Sequence, residues 1–285
     1  MATTILPIGP VTEGLVAAWA GIRGLAETMD ADQWGVPSVL PGWTNADIVA
    51  HIIGTESLLA GRDVAAVDVS ALAHVRNPIG ELNEKWVEHF RGQPRADVLA
   101  AFDEIVALRT EALAAMGQND FDAASMTPAG PDTYGRFMRI RIFDCWMHEI
   151  DLSDGIGVAS PADTGAAQWA IAEIAASLPF VVGKRAGAPA GTSVLFRITG
   201  AAPTDVRIVV AERAVAVDEF EAGAGNAASG PNLPGDDAAT VRLTLDAIDL
   251  ARLAGGRRDA DPAAVTVEGD REIADRILTN LNYVI

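Results

Sequence analysis

The residues best suited to chemistry are Asp144 and His148, four positions apart in a segment with helical spacing of apolar residues. Residues at this spacing leave a helix from the same face, one turn from each other. At about 100° per residue, Arg141 and Asp151 fall on the same narrow polar stripe, and the remaining circumference is apolar. If the stripe faces inward, a carboxylate and an imidazole can provide two ligands of Zn²⁺ or a similar divalent ion. If it faces solvent, the same residues form local ion pairs.

A third ligand would have to come from another helix, and His51 is the candidate. The segment 43–61 predicts a helix with Thr44 as its N-cap, because Asp47 follows three residues later and can complete a capping-box pair. His51 lies two turns into that helix among aliphatic residues. It could also be a structural core histidine, or pair with Asp47 at the surface. Two histidines and one carboxylate leave coordination positions open, which is typical of a catalytic metal centre.

Other chemically capable residues have simpler interpretations. Cys145 is the single cysteine and lies between apolar neighbours, which predicts a packed core thiol. A single cysteine also excludes an internal disulfide and favours a reducing, cytoplasmic setting. His74 and His89 lie in polar stretches and are predicted to face solvent. Glu149 and Asp151 are predicted to orient metal ligands or to close hydrogen bonds at the helix end.

The elements that must position these residues are helical through the first two-thirds of the chain. Apolar periodicity and Pro/Gly breaks predict helices over 11–29, 43–61, 79–91, 96–116, 134–153 and 162–182. After a linker at 184–192, β-branched runs predict strands over 193–200, 205–212, 214–220 and 239–245. A short helix, a strand and a last helix follow. We therefore expect a helical bundle over 1–183 and a small α+β domain over 193–285.

Composition limits the classes of function. The chain has 285 residues, a net charge of −18 and a pI near 4.5. This charge argues against binding to nucleic acid or to an anionic membrane, since both need clustered basic residues. No apolar run approaches the roughly 20 residues that a transmembrane helix needs, and the N-terminus has no secretory-signal pattern. We expect a cytoplasmic protein, and the sequence leaves both a monomer and a homodimer open.

Two motifs resemble the mycothiol-dependent maleylpyruvate isomerase family. They are LPGWTNADIVAHI, which contains His51, and RIRIFDCWMHEIDL, which contains Asp144 and His148. The later stretch LARLAGGRRDADPAAVTVEGDREIADRIL is similar to a sterol-carrier-like domain. The resemblance implies an N-terminal DinB-like four-helix bundle followed by a small α+β sterol-carrier-like domain. It also implies a divalent metal held by those three residues, with Asp144 standing where the family pattern has glutamate.

The donor types make zinc the expected divalent metal, and the resemblance implies mycothiol as a thiol cosubstrate. Coordination to a divalent ion lowers the pKa of a thiol from about 8.5 and provides thiolate at neutral pH. The thiolate could isomerise a small electrophile or be transferred to it, so both an isomerase and an S-transferase fit. Arg76 and Arg141 are the candidate catalytic cations beside a developing oxyanion. A surface ion pair is the alternative for each.

The alternative function is a non-catalytic binding module. In it, the C-terminal domain would hold an apolar ligand or a partner, and the metal site would be structural or lost. All three candidate ligands are present and the sequence offers no fourth, whereas a structural zinc site is usually closed by four protein ligands. The pattern therefore favours the enzyme.

Overall fold

The computed structural model describes residues 3–64, 66–73, 75–161, 165–218, 239–257 and 260–284. The chain folds as two compact units, Met1–Ala166 and Ala167–Ile285. The division falls earlier than the boundary expected at residue 183. The helix predicted over 162–182 is observed over Ala167–Phe180 and belongs to the second unit, because it packs on strands and on a helix of that unit.

The first unit is helical with one short hairpin. Its helices are α1 (Ile8–Thr28), α2 (Ala31–Gly35), α3 (Asn45–Leu59), α4 (Pro78–Phe90), α5 (Arg95–Ala114), α6 (Gln118–Phe121) and α7 (Tyr134–Ile156). Strands β1 (Ala124–Thr127) and β2 (Gly130–Thr133) pair antiparallel. The five longer helices agree with the predicted segments. The sequence did not predict α2, α6 or the hairpin, because four or five residues are too few for a periodic pattern.

The apolar faces of the long helices share a core. Helix α1 packs against α5 and α7, and α3 packs against the same two helices. Leu15, Trp19 and Ile22 of α1 are fully buried, as their spacing predicts, and so is Trp146 of α7. Each such side chain contributes about 1.5–3 kcal/mol through burial. This core holds α3 beside α7, the two helices that carry the candidate metal ligands.

Two local features position α3. The Thr44 hydroxyl accepts a hydrogen bond from the Asp47 amide at 3.3 Å, and the Asp47 carboxylate accepts one from the Thr44 amide at 2.8 Å. This capping box confirms the predicted start of the helix. Farther along, Gly54 faces Trp86 of α4, and a Cβ at Gly54 would lie 2.4 Å from the Trp86 Cβ. Only glycine therefore permits the observed approach of α4 to α3.

In the part of the second unit that the structure describes, five strands form a sheet with helices packed on it. Its strands, in the order β5-β4-β3-β6-β7, are β3 (Ser193–Thr199), β4 (Thr204–Val210), β5 (Ala214–Val217), β6 (Val241–Asp246) and β7 (Thr266–Gly269). Strands β3 and β6 are parallel, and the other pairs are antiparallel. Helices α8 (Ala167–Phe180), α9 (Ala247–Ala254) and α10 (Arg271–Thr279) pack on the strands. None of the helices described is both long and apolar enough to cross a bilayer.

Candidate metal centre

The polar stripe of α7 faces the interior of the first unit. Arg141 is 3% exposed, His148 is 7% exposed and Asp151 is fully buried. The Asp144 side chain is the most open of the four, at 30% exposure. The alternative of a solvent-facing stripe is therefore wrong.

His51 of α3 reaches the same place. Its Nε2 lies 3.2 Å from Oδ2 of Asp144, and Nε2 of His148 lies 3.7 Å from Oδ1 of the same carboxylate. One ligand atom from each of the three residues lies within 4.8 Å of the other two. His51 does not pair with Asp47 at the surface, because His51 is buried and Asp47 caps its helix. The structure thus brings together all three ligand residues expected from the sequence.

The electrostatic surroundings keep two of these residues in the form that binds a metal. Burial alone would raise the pKa of Asp144, but Arg141, His51 and His148 outweigh burial and hold that pKa well below its usual range. Burial lowers the pKa of His51, which favours the neutral imidazole. A metal ion needs an ionised carboxylate and an unprotonated ring nitrogen. At neutral pH Asp144 is therefore ionised and the His51 ring is neutral, with one of its two nitrogens free of a proton.

The two histidines differ in the support behind them. Nδ1 of His148 lies 2.9 Å from Oδ2 of Asp151, a buried carboxylate. That carboxylate favours the tautomer with the proton on Nδ1, so that the lone pair of Nε2 points toward Asp144. Nδ1 of His51 is buried and has no hydrogen-bond partner in the described part of the chain. Asp151 therefore orients a candidate ligand, one of the two roles that the sequence suggested for it.

Trp43 forms an aromatic wall beside the two imidazoles. Its ring centroid lies 5.3 Å from that of His51 and 6.3 Å from that of His148. The indole Nε1 donates a hydrogen bond of 2.8 Å to the carboxylate of Glu84 on α4, which is 1% exposed. Neither Trp43 nor Glu84 was predicted from the sequence to be part of the site. The sequence feature that could have indicated a role for Trp43 is its position directly before the N-cap of α3.

The two arginines expected to act in catalysis lie in different surroundings. Arg141 is no surface residue: its Nε donates to Glu56 at 2.9 Å and its Nη1 donates to Asp144 at 2.6 Å. Arg76 is exposed and lines a cleft of about 450 Å³ together with Lys85. Among the described residues, no contact joins Arg76 to the three candidate ligands. Glu56 is a further residue of these surroundings that was not predicted from the sequence.

Three further residues that the sequence singled out are described and lie outside the cluster. Cys145 is fully buried, as predicted, and burial raises the pKa of its thiol well above the usual value. Glu149 lies against Gly21 of α1, and burial raises the pKa of this carboxyl to about 7. His89 is exposed, as predicted. His74 lies outside the described residues.

The donor set fits a divalent transition ion. Two imidazole nitrogens and a carboxylate oxygen are ligands that zinc accepts at about 2.0–2.2 Å. Ligand atoms at such distances and tetrahedral angles lie about 3.4 Å apart. The 3.7 Å between Nε2 of His148 and Oδ1 of Asp144 is close to this spacing, and one ligand atom from each of the three residues lies within 4.8 Å of the others. The three residues could therefore hold an ion after small side-chain adjustments.

A buried cluster of two histidines and one carboxylate between packed helices defines a class: helical proteins with a candidate divalent-metal centre. Comparison with known families identifies the chain more narrowly. Residues 15–153 match the family described as "Mycothiol maleylpyruvate isomerase N-terminal domain", and residues 168–276 match the one described as "MDMPI C-terminal domain". The chain belongs to the mycothiol-dependent maleylpyruvate isomerase family.

Individual relatives are more distant. Proteins from two strains of Mycobacterium tuberculosis, both described as uncharacterized, are 27% identical over 164 residues, which cover 54% of this chain and 59% of theirs. The chain thus spans less than two thirds of the length of these curated relatives. The crystal structure of the mycothiol-dependent maleylpyruvate isomerase aligns with a TM-score of 0.56 at 16% identity, over 94% of this chain and 96% of that one. A mutant of that isomerase aligns over the same shares, with a TM-score of 0.54 at 15% identity. These two likenesses show a shared fold.

Proposed function

We propose that this protein is a metal-dependent enzyme that uses a low-molecular-weight thiol, mycothiol, to isomerise a small electrophilic substrate. In this proposal His51, Asp144 and His148 hold the metal, which is zinc. The observation that carries it is the meeting of their three ligand atoms within 4.8 Å. Membership of the family supports the thiol and the reaction type. The proposal includes a DinB-like four-helix bundle as the first unit and a sterol-carrier-like domain as the second.

The side chains in and around the cluster have separate roles in this proposal. Zinc at this position would supply a Lewis acid that lowers the pKa of a thiol from about 8.5. Asp151 holds the His148 ring, and Asp144 stays ionised beside Arg141. Three protein ligands leave room for a further ligand. Solvent reaches the cluster on the side of Asp144, whose side chain is more open than either histidine.

The chemistry that suits this site is reversible addition of a thiolate to a conjugated double bond. The sulfur bonds to one carbon, the former double bond rotates as a single bond, and elimination restores the double bond and releases the thiolate. Conjugation would end after the addition step and a proton transfer, so an S-transferase shares the first half of this reaction. Arg76, exposed at its cleft, is the cation assigned to the charge that develops on the substrate.

The alternative of a non-catalytic binding module gains no support from the site. A vestigial metal site would be expected to have lost a ligand or the support behind it. Here the three candidate ligands converge, and a buried carboxylate stands behind one of them.

Metal content tests the proposal most directly. We expect purified wild type to hold one equivalent of zinc after reconstitution, and His51→Ala and His148→Ala to bind zinc at least about tenfold more weakly. His89→Ala is the matched control, because His89 is exposed and lies outside the cluster. Elemental analysis and chelator competition give the answer. Wild type without stoichiometric metal after reconstitution would contradict the proposal.

The thiol requirement needs a separate assay. Isomerisation of maleylpyruvate and of related electrophiles should depend on mycothiol and follow saturation kinetics in it. The same panel, analysed by mass spectrometry for thiol adducts, distinguishes an isomerase from an S-transferase. The absence of thiol-dependent turnover across the panel, in protein that carries metal, would refute the enzymatic role.

A further inference from the structure

A group of buried charges lies behind Asp144. Glu56 of α3 is fully buried, and Arg109 of α5 and Arg141 of α7 are 1% and 3% exposed. Arg109 Nε donates to Oε2 of Glu56 at 3.0 Å, and Arg141 Nε donates to Oε1 at 2.9 Å. We name these three residues the buried arginine chain. It joins three helices through one carboxylate.

The buried arginine chain ends on the candidate carboxylate ligand. Nη1 of Arg141 donates to Oδ2 of Asp144 at 2.6 Å, and Nη2 lies 3.6 Å from Sγ of Cys145. Each of the three guanidinium nitrogens is therefore directed at a protein atom. A planar group fixed at several points cannot turn toward a substrate without breaking these contacts. Arg141 can thus affect the site through Asp144.

The balance of charge favours the same arrangement. Two buried arginines share one carboxylate, Glu56, which leaves one positive charge in excess. A buried charge without a partner is strongly unfavourable. Asp144 supplies the second negative charge, so any movement of Asp144 away from Arg141 would leave the guanidinium half-compensated. The electrostatic cost holds the Asp144 carboxylate in place.

We propose that the buried arginine chain positions the carboxylate of Asp144 for metal binding. Arg141 holds Oδ2 and leaves Oδ1, the oxygen nearer to His148, for the ion. Glu56 fixes the plane of Arg141, and Arg109 fixes Glu56. All three are positioning residues. The inference rests on the proposed function, in which Asp144 is a ligand.

Arg141→Lys tests the first link. Lysine keeps the charge but has a single ammonium group, which cannot hold Glu56 and Asp144 in one fixed plane. We expect affinity for Co²⁺, measured by chelator competition, to fall about 10- to 100-fold, and the visible spectrum of bound Co²⁺ to change. The matched control is Arg136→Lys on the same helix, where Arg136 pairs with Asp132 at 3.0 Å. The control should retain wild-type affinity and spectrum.

A double-mutant cycle tests the second link. Glu56 contacts Arg141 and not Asp144, so Glu56→Gln should weaken Co²⁺ binding about tenfold in wild type and have little effect in the Arg141→Lys background. Circular dichroism checks that each variant is folded. If Glu56→Gln does not fold, Arg109→Lys replaces it, because Arg109 holds the other oxygen of Glu56.

The outcomes separate the two proposals. Wild type that binds no Co²⁺ overturns the proposed metal site and, with it, this inference. Wild type that binds Co²⁺, together with Arg141→Lys of unchanged affinity and spectrum, overturns the positioning role alone. Equal weakening by Glu56→Gln in both backgrounds would mean that Glu56 acts on general stability, which also overturns the positioning role.

Discussion

Two groups of charged side chains support the candidate site, and they differ in their access to water. The buried arginine chain is closed to solvent and ends on Asp144, the candidate carboxylate ligand. The second group centres on Arg91, which pairs with Asp47 at 3.0 Å, with Glu84 at 3.4 Å and with Glu88. We name these four residues the Arg91 cluster. It ends on the aromatic wall, because Glu84 accepts the hydrogen bond of the Trp43 indole.

The contrast shows how one site can have a rigid side and a softer side. In the buried arginine chain two cations share one anion away from water, so the loss of any partner leaves an uncompensated charge. In the Arg91 cluster one cation, 35% exposed, faces three carboxylates, and water screens part of each interaction. We therefore expect the ligand geometry to depend on the first group, and the position of the wall to depend more weakly on the second.

The largest effect on stability should come from Glu56→Gln. The change leaves Arg109 and Arg141 buried around a neutral amide, and removing one partner of a buried ion pair costs about 3–5 kcal/mol. Urea denaturation of metal-free protein measures it. Asp103→Asn is the control, since Asp103 is 54% exposed in its pair with Arg23 and should change stability by about 1 kcal/mol or less. If Glu56→Gln lowered the free energy of unfolding by less than about 1 kcal/mol, the buried arginine chain would not differ from the Arg91 cluster as proposed.

A smaller effect should follow Glu84→Gln. Glutamine can still accept the Trp43 hydrogen bond, but the charge that strengthens this bond and attracts Arg91 is lost, at a cost of about 1–3 kcal/mol. The local environment of the indole should also change, which tryptophan fluorescence detects. In a Trp43→Phe background the fluorescence change should disappear. Its persistence there would show that Glu84 acts on other tryptophans and not on the wall.

The smallest effect should come from Arg91→Lys. The charge remains and only the forked geometry is lost, so the change in stability should stay within about 1 kcal/mol. In 1 M salt this difference should shrink, because the side chain of Arg91 is partly open to solvent. The effect of Glu56→Gln should be nearly independent of salt. Equal salt dependence for the two variants would show that the groups do not differ as the structure indicates.

The features that could be predicted from the sequence are those that depend on residues close together in the chain. The i, i+4 spacing of Asp144 and His148 and the capping box at Thr44 are short-range features, and both are present in the structure. The contacts of Glu56 are not local, since it lies 85 positions from Arg141 and 53 from Arg109. A single sequence holds no record of which distant charges meet. Arg141 was therefore interpreted as a surface pair or a catalytic cation.

The same limit explains the difference at the boundary between the units. Periodicity predicted a helix over 162–182 but could not tell which partner its apolar face would meet. The residues that receive α8 lie in β4, β5 and α9, well after it in the chain. Assignment to the first 183 residues followed from the neighbouring helices in the sequence, whereas the structure groups α8 with the sheet.

Gly54 shows that a residue without a side chain can limit which substitutions the neighbouring helices tolerate. It lies between His51 and Glu56, and the base of the Trp86 side chain occupies the space that a methyl group would need. Replacement by alanine would displace α4, and with it the carboxylate that holds Trp43. Position 54 should therefore tolerate change only together with a shift of the neighbouring helix. If related sequences were compared only at their ionisable residues, the dependence of the Trp43 position on glycine at position 54 would be overlooked.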